Sequence, residues 1–278
     1  MKANNQFLKK PKSFWAYVRS LSQALGYSKK DKFLIPTYEE MEKAFQKLSL
    51  DASSLMLARN PTELAKDLRS YFQYRANILE QEAKINLMNK DEAKELFESV
   101  RSELKYTHPI TMNKQKGDKK TPAYLTGLVR MIIDHNSNGG DCDYDPRKLT
   151  TITKNGFPVR TFARRVDGAF PSSTNPIAVW EIKEYYHTTT FGSRIADGVY
   201  ETLLDGMEIE ELAEHEKINV KHYLIIDAYH TWWNMGKPYL CRIIDMLHMG
   251  YVDEVLFGRE VVKELPRIVK EWSALALR

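Results

Sequence analysis

Three side chains combine types and spacing suited to hydrolytic chemistry: Asp167, Glu181 and Lys183. Glu181 and Lys183 lie two apart in Pro176-Ile-Ala-Val-Trp-Glu-Ile-Lys183, an apolar run that reads as a strand, so both point to one face. Val159 to Asp167 reads as an extended partner, and the intervening Pro171-Ser-Ser-Thr-Asn175 as a turn. The antiparallel hairpin this predicts sets Asp167, at the end of its first strand, beside the other two. Two carboxylates and an ammonium on one sheet face are costly to bury without a partner. A divalent cation resolves the conflict. Asp167, Glu181 and the main-chain carbonyl of Ile182 offer hard oxygen ligands suited to Mg²⁺, with Mn²⁺ as a substitute. Lys183 would orient or help deprotonate a metal-bound water. Such a set suits hydrolysis of a phosphodiester, where the metal activates water and stabilises charge developing on phosphorus.

Other residues join this picture with less support. Arg164 and Arg165, just before Asp167, read as phosphate contacts. The hydroxyl-rich stretch from Tyr185 to Arg194 follows the second strand, and Thr189 and Arg194 within it are candidates to reach a DNA backbone. At least one of its threonines is expected to cap the next helix. Residues 107–121 lose apolar periodicity and carry Lys114, Lys116, Lys119 and Lys120, so Lys119 and Lys120 are further DNA-binding candidates on a basic loop. Glu201 reads as a solvated helix position, although an acidic group there could face the metal. Asp227 is given no role, and Trp232-Trp233 reads as packing ahead of base stacking. His187, His222 and His230 lack zinc-ligand spacing. There is no glycine-rich phosphate loop and no GxSxG elbow, which removes the nucleotide-driven motor and the serine hydrolase from consideration.

The elements that must position these groups change period halfway along the chain. Up to residue 106 the spacing is helical: Phe14, Trp15, Val18, Leu21 and Leu25; Met41, Phe45 and Leu48 after Thr37; a long stripe opened by Pro61 and Thr62; and Ala93, Phe97, Val100 and Leu104. A further helix begins after Pro122. Beyond residue 157 come the hairpin, a helix through Val199 and Leu203, a strand at 222–227, a helix through Leu240 and Ile244, a strand at 252–257 and a closing helix that contains Pro266. The fold class this predicts is α/β: a helical, basic N-terminal region over 1–106, a basic loop over 107–121, and a mixed β-sheet flanked by helices over 122–278.

Val166-Asp167, thirteen intervening residues, then Glu181-Ile182-Lys183 resemble the signature of the PD-(D/E)xK nuclease superfamily, with Val166 where the motif has proline. Within it the chain is most similar to a type II restriction endonuclease, by size and by the helical region ahead of the core; the resemblance covers about residues 121–278. It implies that Asp167 and Glu181 bind Mg²⁺ and that Lys183 assists the attacking water. It also implies a site-specific endodeoxyribonuclease acting on double-stranded DNA as a twofold homodimer. A repair, recombination or transposon-associated nuclease of the same fold, and a non-catalytic DNA-binding protein with a degenerate nuclease core, remain alternatives.

Charge agrees with a nucleic-acid partner. The net charge of the 278 residues is +4, but residues 1–120 hold 23 Lys/Arg against 15 Asp/Glu, while residues 121–278 hold 18 against 22. A basic half beside an acidic half fits a polyanion held by one and a metal by the other. No run approaches the roughly 18 apolar residues of a membrane span. The N-terminal stretch lacks a signal-peptide core, and Cys142 and Cys241 read as reduced thiols, so a cytoplasmic location is expected.

Overall fold

The computed structural model describes residues 1–29, 31–112, 121–137, 139–187 and 192–277, with the backbone alone for Arg194. Its first third is helical, as the spacing predicts: α1 (Lys12–Leu25), α2 (Tyr38–Lys47) and α3 (Glu63–Ile78). Gly26, at φ 86°, ends α1. Thr37 and Glu40 form a capping box on α2, and the Thr62 hydroxyl accepts the Ala65 N–H of α3 at 3.2 Å. The apolar stripes close on one another: Phe14, Trp15, Val18, Met41, Phe45 and Leu68 share one core.

Helix α4 (Lys90–Glu103) does not join that core. Its Phe97 and Val100 pack with Leu125, Leu128 and Ile132 of α5 (Tyr124–Asn136). A Cβ on Gly127 would lie 2.5 Å from the Phe97 ring, so glycine sets how closely the two helices approach. The cores thus divide the chain between α3 and α4, whereas the boundary expected at 106 falls between two helices that pack together.

The strands follow. After β1 (Asp143–Tyr144) comes a separate antiparallel hairpin, β2 (Thr151–Lys154) and β3 (Phe157–Thr161). Then β4 (Gly168–Phe170), β5 (Ala178–Glu184), β6 (Lys221–Asp227) and β7 (Glu254–Phe257) join β1 in a five-stranded sheet of order β7-β6-β5-β4-β1. β5, β6 and β7 run parallel, while β4 is antiparallel to both β5 and β1, so the sheet is mixed as expected. One expectation is corrected. The extended run 159–167 is not the partner of β5; its first part pairs with β2 across Asn155-Gly156, both at positive φ (52° and 83°). The partner is the three-residue β4, and Asp167 precedes it instead of ending a strand.

Helices α6 (Ser193–Glu216) and α7 (Lys237–Met249) connect the parallel strands, and α8 (Glu260–Ala276) closes the chain, with Pro266 inside it. Alternation along the strands divides the sheet into two faces. Trp180, Tyr223, Ile225 and Leu256 face α5 and α8, where Trp180 and Trp272 stack with centroids 5.4 Å apart. Leu224, Ile226, Val255 and Phe257 pack with Ile195 of α6 and Ile244 of α7. Trp232 and Trp233 are buried in a wide turn at His230–Met235. The cap of α6 is Gly192, without a side-chain hydrogen bond, so the threonine cap expected there is corrected: the helix begins past the threonines.

Two buried polar clusters fasten the helical third to the rest. The Arg75 guanidinium donates to both oxygens of Asp245 on α7 (2.9 and 3.0 Å), which also accepts the Tyr71 hydroxyl at 2.5 Å. Asp227, at the end of β6, accepts the N–H groups of Met88 (2.7 Å) and Ala228 (2.8 Å) and the Tyr186 hydroxyl. Gly258 lies against this second cluster at φ 38°, where a Cβ would meet the Asn86 carbonyl oxygen at 2.3 Å and an Asp227 carboxyl oxygen at 2.8 Å. No helix among the described residues is long and apolar enough to cross a membrane.

Candidate active site

The hairpin brings Asp167 and Glu181 together through an early end to strand pairing. Gly168 pairs with Trp180, and β4 starts there, so β5 beyond Trp180 has no strand along that edge. The Asp167 side chain takes the strand's place. Its Oδ2 accepts the Ile182 N–H at 2.8 Å, and its own N–H donates to Glu181 Oε1 at 3.1 Å. In an extended residue N–H and C=O lie on the same edge, so the Ile182 carbonyl faces the Asp167 side as well. Glycine is required beside Asp167, because a Cβ at 168 would sit 2.1 Å from the Trp180 indole.

Glu181 is the centre of the cluster and has no exposed surface. Lys183 Nζ donates to its Oε2 at 2.7 Å, and Arg164 lies 2.9 Å from Oε1 through Nη1 and 3.1 Å from Oε2 through Nη2. The same guanidinium pairs with Asp205 Oδ2 at 2.6 Å, and Lys183 reaches Glu201 Oε2 at 3.0 Å. Burial by itself would raise the Glu181 carboxyl, but Lys183 and Arg164 outweigh it and hold the group below the usual glutamate value. Lys183 is the mirror case: burial opposes its charge, and Glu181 and Asp167 more than restore it, leaving it raised. Asp167 is pushed up to about 6, by crowding from the surrounding protein and then by the charge of Glu181, even though part of its side chain meets solvent. Asp205, fully buried, is pushed up to about 7 by burial and then by Glu181, and its Oδ1 has no hydrogen-bond partner among the described residues.

Arg164, Asp167, Lys183 and Glu201 line a cleft of about 490 Å³, whose wall also takes in Trp180, Thr126 and Arg130. Across it Glu184 accepts the N–H and hydroxyl of Thr126 (3.0 and 3.1 Å) at the start of α5, and burial pushes its carboxyl up to about 7.

Whether this set suits a divalent cation is decided by its donors. No three His, Cys, Asp or Glu side chains among the described residues converge as a ready cage. Among the described residues Asp167, Glu181, Glu201 and Asp205 nevertheless face only Arg164 and Lys183, which leaves two formal negative charges unbalanced there. The Asp167 carboxyl is raised by burial and then by the charge of Glu181, and Asp205 Oδ1 lacks a partner among the described residues. All the donors are hard oxygens, and Mg²⁺ keeps several waters and takes one or two protein carboxylates. The residues fit such an ion.

Asp167, Glu181 and Lys183 are therefore brought together. Arg164 joins them, turned inward onto carboxylates instead of out toward solvent, while Arg165 is exposed. Arg194 lies in the first turn of α6, and Thr189, Lys119 and Lys120 lie outside the described residues. Glu201 is in the cluster and not simply solvated. Asp205 was missed, although Asp197, Glu201 and Asp205 repeat every four residues, an acidic stripe visible in the sequence. Asp227 ties the end of β6 to Met88, in the segment between α3 and α4.

Residues 88–272 match a family described as a domain of unknown function, DUF7687, and the chain belongs to it. Residues 1–82 match a second domain of unknown function, DUF7690, so the two matches meet where the cores divide. No curated protein and no solved structure matches the chain.

Proposed function

We propose that the protein is a Mg²⁺-dependent endodeoxyribonuclease with a PD-(D/E)xK-type core, hydrolysing phosphodiester bonds of double-stranded DNA in the manner of a type II restriction enzyme. The observation that carries this reading is the cluster at the open edge of β5. Asp167 and Glu181 are adjacent in register, and Lys183 is 2.7 Å from Glu181, all beside a cleft. The hairpin, crossover helix and further parallel strand are the succession that the resemblance implies.

Asp167, Glu181 and the Ile182 carbonyl would hold Mg²⁺, which when bound supplies a water of lowered pKa and stabilises charge on phosphorus. The chain's own groups do the rest. Glu181 and Glu201 fix the Lys183 ammonium, which then holds a water by hydrogen bonding beside the carboxylates. Arg164 helps hold Glu181 ionised and keeps Asp205 in place. The basic N-terminal region grips the duplex, and a twofold homodimer allows both strands of a palindrome to be cut.

A digest of unmethylated phage-sized DNA, with Mg²⁺ and with EDTA, beside Lys183→Ala, tests the reading. Discrete fragments that need Mg²⁺ and vanish in the variant support it. A Mg²⁺-dependent smear moves the protein to a repair or recombination nuclease. DNA left intact in both unmethylated and methylated form, yet bound by the protein, leaves a non-catalytic DNA-binding module.

A further inference from the structure

Three cations line or border the cleft, and their charges are used differently. Lys183 and Arg164 are neutralised by Glu181, Glu201 and Asp205. Arg130, on the wall formed by α5, is balanced only by a long pairing with Asp134 among the described residues. Its neighbour Asp134 stands 3.8 Å from Nε, and both Asp134 oxygens already accept tyrosine hydroxyls, from Tyr106 at 2.5 Å and Tyr144 at 2.6 Å. The buried Nε has no hydrogen-bond partner among the described residues. The guanidinium lies over the Tyr144 ring, 4.9 Å from its centroid, and about a third of the side chain (33%) is exposed. A planar cation is thus held by an aromatic shelf in a cleft whose other charges are largely negative.

We infer that Arg130 anchors a phosphate of the nucleic-acid strand in the cleft. The inference rests on the nuclease reading of the site and adds to it a substrate-binding residue on a different element. Guanidinium suits this task because its donors form a fixed fork matching phosphate oxygens, and stacking on Tyr144 fixes the fork's plane before substrate arrives. The strand's negative charge would otherwise meet Asp145, Asp167, Asp197 and Glu201 on the same walls.

Steady-state cleavage of a duplex by wild type, Arg130→Met, Arg130→Lys and the exposed control Lys263→Met on α8 tests the assignment. Losing a contact made equally in ground and transition states raises KM and leaves kcat. Arg130→Met is expected to raise KM at least tenfold with kcat changed less than threefold, Arg130→Lys to recover part of the loss, and Lys263→Met to match wild type. A KM for Arg130→Met within twofold of wild type, with its melting temperature unchanged, overturns the inference. Wild-type protein that cleaves nothing removes the nuclease reading, and a second measurement then decides separately: titration with thymidine 3′,5′-bisphosphate followed by NMR. Binding at least tenfold weaker in Arg130→Met upholds the anchor, and equal binding or none to wild type overturns it.

Discussion

Glu181 and Asp167 are neighbours with opposite tolerances. Glu181 is the fully buried carboxylate shared by two cations, so Glu181→Ala leaves Arg164 to Asp205 and Lys183 to the more exposed Glu201. Removing one partner of a buried pair costs about 3–5 kcal/mol. Urea unfolding should register that loss, and a change under 1 kcal/mol would contradict the burial argument. Asp167 is raised to about 6, so above that pH it is held ionised against its surroundings. The folded state binds its proton more tightly than the unfolded chain does, and stability declines as pH rises from about 4 through about 6. Asp167→Asn keeps an acceptor for the Ile182 N–H while dropping the charge. In EDTA it is expected to melt higher than wild type at pH 8, by a margin that shrinks toward pH 5, and to have lost DNA cleavage. A lower melting temperature at pH 8 would refute the repulsion. The Glu181–Lys183 spacing was legible because a strand's period is two whatever surrounds it. The acidic stripe through Asp205 was legible too, but the inward turn of Asp205 and Arg164 was not, since it depends on where α6 settles over the sheet.

At the scale of elements, β4 is three residues long and depends on a missing side chain. Gly168→Ala would drive a methyl into Trp180, which is itself stacked on Trp272. Overpacking of this kind costs about 1–3 kcal/mol. Because Asp167 is the next residue, cleavage should fall together with the melting temperature, and a fully stable, fully active variant would show that the indole has room to move. Helices were the easiest elements to read, each stripe fixing its own face. The strand ahead of Asp167 was misread because residues 159–167 have the period of a strand but belong to two structures. The signal that separates them was present: Asn155-Gly156 between two β-prone runs marks a two-residue hairpin turn. The three-residue β4, Gly-Ala-Phe, is too short to show any period.

Across the whole molecule, stability depends on how the two cores are joined. Asp245→Ala leaves Arg75, 2% exposed, without its carboxylate, and about 3–5 kcal/mol of unfolding free energy should go with it. The double variant Arg75→Met with Asp245→Leu should recover most of that loss by denaturant titration, since well-packed apolar groups can replace a buried pair. Burial pushes the Asp227 carboxyl up to about 7 at the second join. The folded protein therefore keeps a proton between about pH 4 and 7 that the unfolded chain releases, and wild type should lose stability relative to Asp227→Asn as pH rises through that window. Parallel pH profiles for the two proteins would dismiss the effect. The division itself was not legible in periodicity, because α4 carries the same stripe whichever core it joins. One consequence of the second join belongs to the language of sequence libraries. Gly258 has a positive φ and no room for even a methyl group, so a randomised codon at 258, selected only for folded protein, should return a single letter.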